Sequence, residues 1–238
     1  MTTVLITGAS RGLGLELVRQ YAAAGARVIA TCRNPAQSPD LAALAARHPG
    51  AIGVEALEVT DHAAIDALSA KYSGQPIDIL INNAGDIGPR DPHRTRLHEQ
   101  QFGTLNYAEL RRVLEINTLA PLKVAEAFVE QVAASAQKQM IFVSSTTGSN
   151  VEGQYPIFAY CSSKAALNKV VTMLAIALRP RGIVCAAVCP GYVKTRLGGD
   201  AALLGVEESI TGLRRVISGL TLERTGTFTR YNGETIAW

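Results

Sequence analysis

Short runs of β-branched and other apolar residues alternate along the chain with longer, alanine-rich stretches whose apolar positions recur at helical spacing. The runs Val4 to Thr7, Arg27 to Thr31, Ile52 to Leu57, Ile77 to Ile81, Met140 to Ser144 and Ile183 to Val188 predict strands, with helices between them. Each intervening stretch is long enough for a helical crossover, and near-continuous apolar strands are those buried on both faces. The pattern predicts an α/β chain with a doubly wound parallel sheet of about seven strands and helices on both faces. Ligands of such sheets bind beyond the carboxyl ends of the strands. Gly8, Asn83, Ser145 and Pro190 all fall just past those ends.

At 238 residues the chain suits one domain spanning 1–238, and no stretch reads as an interdomain linker. It is 47% hydrophobic and 18% charged, with a formal charge of +3, so no nucleic-acid partner is expected. No run approaches eighteen consecutive apolar residues, and Met1 to Gly8 enters a strand without a basic leader. A cytoplasmic protein without membrane contact is the expectation. The four cysteines, Cys32, Cys161, Cys185 and Cys189, contain no Cys-x-x-Cys and are expected as free thiols. His48, His62, His93 and His98 show no metal-ligand spacing, so no metal is expected.

The first strand runs into Thr7-Gly8-Ala9-Ser10-Arg11-Gly12-Leu13-Gly14 and then a helix. Three glycines at spacings of four and two let the backbone approach a pyrophosphate at a helix N-terminus, where free N–H groups and the helix dipole favour anions. No Gly-Lys-Ser/Thr follows, which argues against nucleoside triphosphate hydrolysis. A ribose 2′-hydroxyl is met by an acidic residue at the end of the second strand, but here the residues are Thr31-Cys32-Arg33-Asn34. Arg33 and Arg11 instead favour a 2′-phosphate, hence NADP(H) over NAD(H).

Tyr160 and Lys164 are four residues apart, which on a helix places phenol and ammonium on one face. The cation stabilises a phenolate, bringing tyrosine within reach of proton transfer near neutral pH. Asn117 and Pro121 are also four apart, inside a helical pattern from Tyr107 to Ser135. Proline has no N–H for the Asn117 carbonyl, so a kink and a carbonyl free for a water or polar partner are expected.

Thr7 to Gly14, Asn82-Asn83-Ala84-Gly85, Ser145, Tyr160-x-x-x-Lys164 and Pro190-Gly191 occur in this order over nearly the whole chain. Together they resemble the short-chain dehydrogenase/reductase family, with its Rossmann-like fold. The closing segment from Gly226 to Trp238 resembles the ending of the C-factor and sniffer-type carbonyl reductase branch. The resemblance implies an NADPH-dependent carbonyl reductase of a ketone or aldehyde, reversible as an alcohol dehydrogenase. It implies Tyr160 as general acid, Lys164 lowering its pKa and holding the ribose, Ser145 bonding the carbonyl oxygen, and Asn117 holding a water toward Lys164. Ser144, one residue earlier, is expected on the other face.

Around the dinucleotide the resemblance implies Gly8, Ser10, Arg11, Gly12, Leu13, Gly14, Arg33, Asn83, Ala84, Gly85, Pro190, Gly191, Val193 and Thr195. Glu58-Val59 stands where the family usually carries aspartate before valine near the adenine, so Glu58 is a departure. Thr195 as a helix N-cap is the competing view of that residue. The resemblance also implies a homodimer, with a tetramer possible, pairing through the helices that hold Asn117 and Tyr160. A regulatory, C-factor-like role and an NAD-linked dehydrogenase are the alternatives. Substrate choice is expected to lie in two loops, Asp86 to Gly103, whose Arg90, Arg94 and Arg96 are expected to be solvated, and Leu197 to Gly205, where Gly198-Gly199 suits a mobile lid; irregular surface loops are the alternative for both. The residues from Glu152 to Pro156 are expected at the pocket rim.

Overall fold

The computed structural model describes residues 1–88, 100–153, 155–199 and 201–238. Seven parallel strands, β1 (Thr3–Ile6), β2 (Arg27–Cys32), β3 (Ile52–Ala56), β4 (Ile79–Asn82), β5 (Gln139–Val143), β6 (Val184–Cys189) and β7 (Phe228–Arg230), form one sheet in the order β3-β2-β1-β4-β5-β6-β7. The six strands expected from the apolar runs are present, with ends moved by one or two residues. The seventh, β7, is only three residues long, too short for its pattern to stand out.

Alternation along each strand divides the core into two layers. Val4 and Ile6 of β1 face one side with Leu17, Val18 and Tyr21 of α1 (Gly12–Ala23), Leu41 of α2 (Pro39–Arg47) and Ile210 and Leu213 of α8 (Val206–Ser218). Leu5 faces the other, with Ile65 of α3 (His62–Lys71), Val124 of α5 (Ala120–Ala127) and Leu167 and Val171 of α7 (Phe158–Leu178). The chain winds outward from β1 to β3 and returns to β4 beside β1. A crevice therefore opens at the carboxyl ends of β1 and β4, because their crossovers leave in opposite directions.

The helical stretch from Tyr107 is interrupted where Pro121 requires it. α4 (Tyr107–Leu114) gives way to a π turn over Glu115–Leu119, in which the Ala120 N–H reaches back to the Glu115 carbonyl, before α5 and the short α6 (Val129–Ala133). A widened turn accommodates a missing i→i−4 donor without breaking the helix outright. α7 is long and apolar enough to cross a bilayer by composition. One of its faces buries Leu167, Val171 and Ala175, while Met173 and Ile176 stay exposed.

Candidate active site and dinucleotide cradle

α1 begins at Gly12 with Arg11 as an extended N-cap that makes no side-chain cap, and its first turn holds no acidic residue. The orphan N–H groups of that turn are thus left to an outside anion. Gly8 and Gly12 have φ of +69° and +55°, which side chains rarely tolerate. A Cβ at Gly8 would lie 2.8 Å from the Ala84 Cα, and one at Gly14 would strike the Gly8 carbonyl oxygen. The turn is glycine-rich both because it bends and because β1, β4 and α1 converge on it.

Asn83 locks this convergence. Its Nδ2 donates to the carbonyls of Thr7 (2.8 Å) and Gly8 (3.2 Å). The Thr7 hydroxyl accepts from the N–H groups of Asn83 and Ala84, both at 3.0 Å. Asn83 thus shapes the turn with its side chain, and Thr7, which spacing alone did not single out, is its partner. The sequence signal for Thr7 is a hydroxyl directly before the first glycine of the turn. Ser10 and Leu13 lie half-buried on the same turn, and Leu13 packs against the core.

At the edge of the cradle Arg33 follows β2 and Glu58 follows β3, with side chains 68% and 43% exposed and 4.0 Å between Arg33 Nε and Glu58 Oε2. Val59 is buried beside them. Arg11 is exposed. Gly191 has φ of +83°, and a Cβ there would lie 2.9 Å from Leu204 Cδ2. The Pro190 carbonyl accepts from the Ser209 hydroxyl at 2.6 Å. Thr195 faces the glycine turn, since a Cβ at Gly12 would lie 3.6 Å from its Cγ2. Its hydroxyl accepts from the Gly198 N–H at 3.0 Å in a local turn, and no helix follows it among the described residues before α8.

Several described residues around the segment after Thr195 are anchored, while Gly199 has φ of +85°. Val193 bridges to Leu204, Ala202 is fully buried, and a Cβ at Gly198 would strike the Val193 carbonyl. Close approach, not freedom, is what Gly198 supplies. In the other loop, Arg90, Arg94, Arg96, His93 and His98 lie outside the described residues.

α7 presents Tyr160 and Lys164 on one face, with Lys164 Nζ 5.8 Å from the centre of the Tyr160 ring. Lys164 is buried and donates to the Val143 carbonyl at the end of β5 (2.8 Å). Burial pushes its pKa down to about 8, a shift only partly offset by the neighbouring Cys189 sulfur. A Cβ at Gly85 would lie 3.7 Å from Lys164 Nζ and 3.3 Å from Asn117 Oδ1, so the Asn83-Ala84-Gly85 turn meets both residues.

Asn117, in the π turn, is fully buried. Its Oδ1 accepts from the Asp86 N–H (2.8 Å), and its Nδ2 donates to the Asp86 carbonyl (2.7 Å) and Ser163 Oγ (2.9 Å). Ser163 Oγ in turn donates to the Tyr160 carbonyl (2.7 Å). Asn117 therefore ties the segment after β4 to the helix of Tyr160. Asp86, whose carboxylate pairs with Arg112 at 3.0 Å, and Ser163 are partners the spacing did not disclose. Gln100 is another, accepting from the Tyr160 N–H (3.3 Å) while donating to the Ile87 carbonyl (2.6 Å).

Ser144 and Ser145 separate as strand alternation requires. Ser144, in phase with Met140 and Phe142, faces α7 and donates to Asn168 Oδ1 at 2.6 Å. Ser145 caps the turn Thr146–Gly148, accepting from the N–H (3.3 Å) and hydroxyl (3.0 Å) of Thr147. Gly148 lets that turn press onto α7 at Lys164 itself, since a Cβ would lie 2.6 Å from the Lys164 carbonyl carbon. All four cysteines are free, and burial pushes the Cys185 thiol up to about 12.

The glycine turn, the uncapped α1 and the arginines at its edge suit a dinucleotide, and the Tyr160, Lys164 and Ser145 elements adjoin it. A family model described as short chain dehydrogenase matches residues 2–202. The C-signal protein of Myxococcus xanthus is 37% identical over 166 residues, covering 68% of this chain and 93% of that protein. The NADPH-bound carbonyl reductase from chicken fatty liver superposes with a TM-score of 0.89 at 32% identity, covering 100% of this chain and 99% of the other. The carbonyl reductase Sniffer of D. melanogaster gives 0.90 at 31% identity, covering both chains completely. The chain belongs to the short-chain dehydrogenase/reductase family of nicotinamide-dinucleotide oxidoreductases.

Proposed function

We propose that the protein is an NADPH-dependent carbonyl reductase that converts a ketone or aldehyde to an alcohol, reversibly, with Tyr160 as the general acid. The observation that carries this reading is the buried Lys164 ammonium beside Tyr160, held next to the Gly85 turn of the dinucleotide cradle. Dinucleotide binding can use the lysine on the ribose but does not require a proton donor beside it. When bound, the cofactor supplies the hydride. Tyr160 Oη gives its proton to the substrate oxygen, and Lys164 stabilises the resulting phenolate electrostatically and offers donors to the ribose hydroxyls. Ser145 Oγ already accepts from Thr147, which leaves its own proton for the substrate oxygen. The Asn117 side chain is committed to Asp86 and Ser163, so its main-chain carbonyl is the group for a water leading to Lys164.

Preference for NADP(H) rests on Arg33 and Arg11 and on the missing carboxylate at the end of β2. The long, exposed contact between Arg33 and Glu58 is weak, and a 2′-phosphate displaces it. The NADPH-bound chicken carbonyl reductase supports the same choice. A homodimer is part of the reading, supported by exposed Leu119 and Leu122 beside the Asn117 turn and by Met173 and Ile176 on α7. Sedimentation velocity decides it.

A signalling role is the second reading, favoured by the likeness to C-signal. The test is a panel of carbonyl compounds with NADPH and NADH, followed at the nicotinamide absorbance, for the natural sequence and Tyr160→Phe. The variant is expected to bind NADPH normally and lose turnover by at least about a hundredfold. Near-normal turnover in the variant removes Tyr160 as the acid, and no turnover by the natural sequence on any carbonyl favours signalling.

A further inference from the structure

The family model ends at residue 202, yet the segment after β6 reaches back to the catalytic turn. β7 pairs with β6 in a register that sets Arg230 opposite Cys189. Beyond it the chain turns at Gly233 and returns, with Thr235 bridged to Thr229 and the Ile236 N–H bonded to the Phe228 carbonyl. Trp238 then stacks on Phe228, with ring centres 5.4 Å apart. Arg230 occupies the centre of this hairpin. Its Nη1 donates to Thr146 Oγ1 (3.0 Å), its Nη2 to Glu152 Oε2 (2.6 Å), and its Nε ion-pairs with Glu234 (3.3 Å).

Both of the first two contacts matter for the site. Thr146 directly follows Ser145, begins the turn that Ser145 caps, and is held on its other side by Cys189 Sγ at 3.2 Å from Oγ1. Glu152 lies in the stretch between Ser145 and Tyr160, which is expected at the pocket rim. Its second oxygen accepts from the Ala237 N–H at 3.1 Å. Rim and hairpin are thus joined by a carboxylate that bridges a guanidinium and a backbone amide, and the same guanidinium fixes the residue beside Ser145. A planar guanidinium can serve several acceptors at once in fixed directions, which an ammonium cannot.

The geometry points to Arg230 as a positioning residue for the carbonyl pocket: through Thr146 it sets the placement of Ser145, and through Glu152 it holds the start of the segment leading to Tyr160. This rests on the reductase reading above. β7 lies at one edge of the sheet with β1 four positions away, so the α1 turn is beyond the guanidinium, whose own contacts are Thr146, Glu152 and Glu234.

The test uses the full chain with para-nitrobenzaldehyde, an electron-poor carbonyl, and NADPH. Glu152→Gln, which keeps shape and removes the charge, is expected to raise the aldehyde KM about three- to tenfold with kcat within about twofold. Arg230→Lys keeps a cation for Glu152 but not the second bond, so kcat falls about tenfold while KM stays nearer the natural value. The dissociation constant for NADPH stays within about twofold in both variants. Unchanged aldehyde kinetics in both, or NADPH affinity lost in parallel with KM, overturns the proposal. If the natural sequence does not reduce this aldehyde, a carbonyl from the panel that it does reduce replaces it; turnover of none fails the reductase reading, and the tryptophan emission then judges the tether by itself. Trp238 is the single tryptophan, so emission under tryptophan-selective excitation, which leaves the tyrosines dark, reports the hairpin alone. Glu152→Gln is then expected to shift that emission to the red and increase its quenching by acrylamide; an unmoved spectrum overturns the tether.

Discussion

Lys164→Met should make the protein more stable at neutral pH while abolishing its activity. The buried ammonium has its pKa pushed down from 10.5 to about 8, chiefly by loss of hydration, so the folded state binds that proton less tightly than the unfolded chain. The sign follows directly: below pH 8 folding bears the full penalty, and the penalty fades as pH rises from about 8 to 10.5. The shift corresponds to about 3 kcal/mol at pH 7 and about 2 kcal/mol at pH 9. Methionine has a similar length and no charge, but it leaves the Val143 carbonyl without its 2.8 Å donor, a loss of about 1–2 kcal/mol. The balance at pH 7 is a gain of about 1–2 kcal/mol, or a few degrees in Tm for a chain of this size. Thermal melts of both proteins across this pH range measure it. Other titrating groups cancel in the difference, so the variant's advantage should shrink by about 1 kcal/mol between pH 7 and 9. A difference in stability that stays constant with pH would refute the desolvated-cation account, whatever its sign.

Arg33→Asp places an acid at the end of β2 and should weaken NADPH far more than NADH; an unchanged ratio of the two dissociation constants removes Arg33 from the specificity site. Gly148→Ala forces a methyl against the Lys164 backbone, where a built Cβ sits 2.6 Å from the carbonyl carbon, and neither partner is a flexible side-chain end. Destabilisation of about 1–3 kcal/mol in denaturant melts is expected, with a larger fall in kcat than in NADPH affinity because Ser145 and Lys164 ride on the displaced segments.

The fold was legible because its signals are local and repeated. Apolar runs of strand length separated by helical periods leave little choice but a parallel sheet with covered faces, and the ends of β1, β2, β3, β4, β5 and β6 fell within two residues of expectation. β7 escaped because three residues carry too little alternation to register. Asn117 was legible for a similar reason, since the N–H missing at Pro121 has a fixed target one turn back. Chain chemistry alone could not tell that the helix would answer with a π turn, or that Asn117 would clamp Asp86 and Ser163 with its amide.

Residue types and spacings along the chain settle which groups are available: a glycine turn without an acid, a tyrosine one helical turn from a lysine, and two adjacent serines on opposite strand faces. Which of those groups meet is a matter of long-range packing. Asn83 bonding back to Thr7 across some seventy-six positions, Gly148 pressed onto Lys164, and Arg230 joining Thr146 to Glu152 all link segments with no local relationship. Hydrogen-bond and steric complementarity between such segments exists only once the sheet has brought them within a few ångströms, and no periodicity in the chain encodes it.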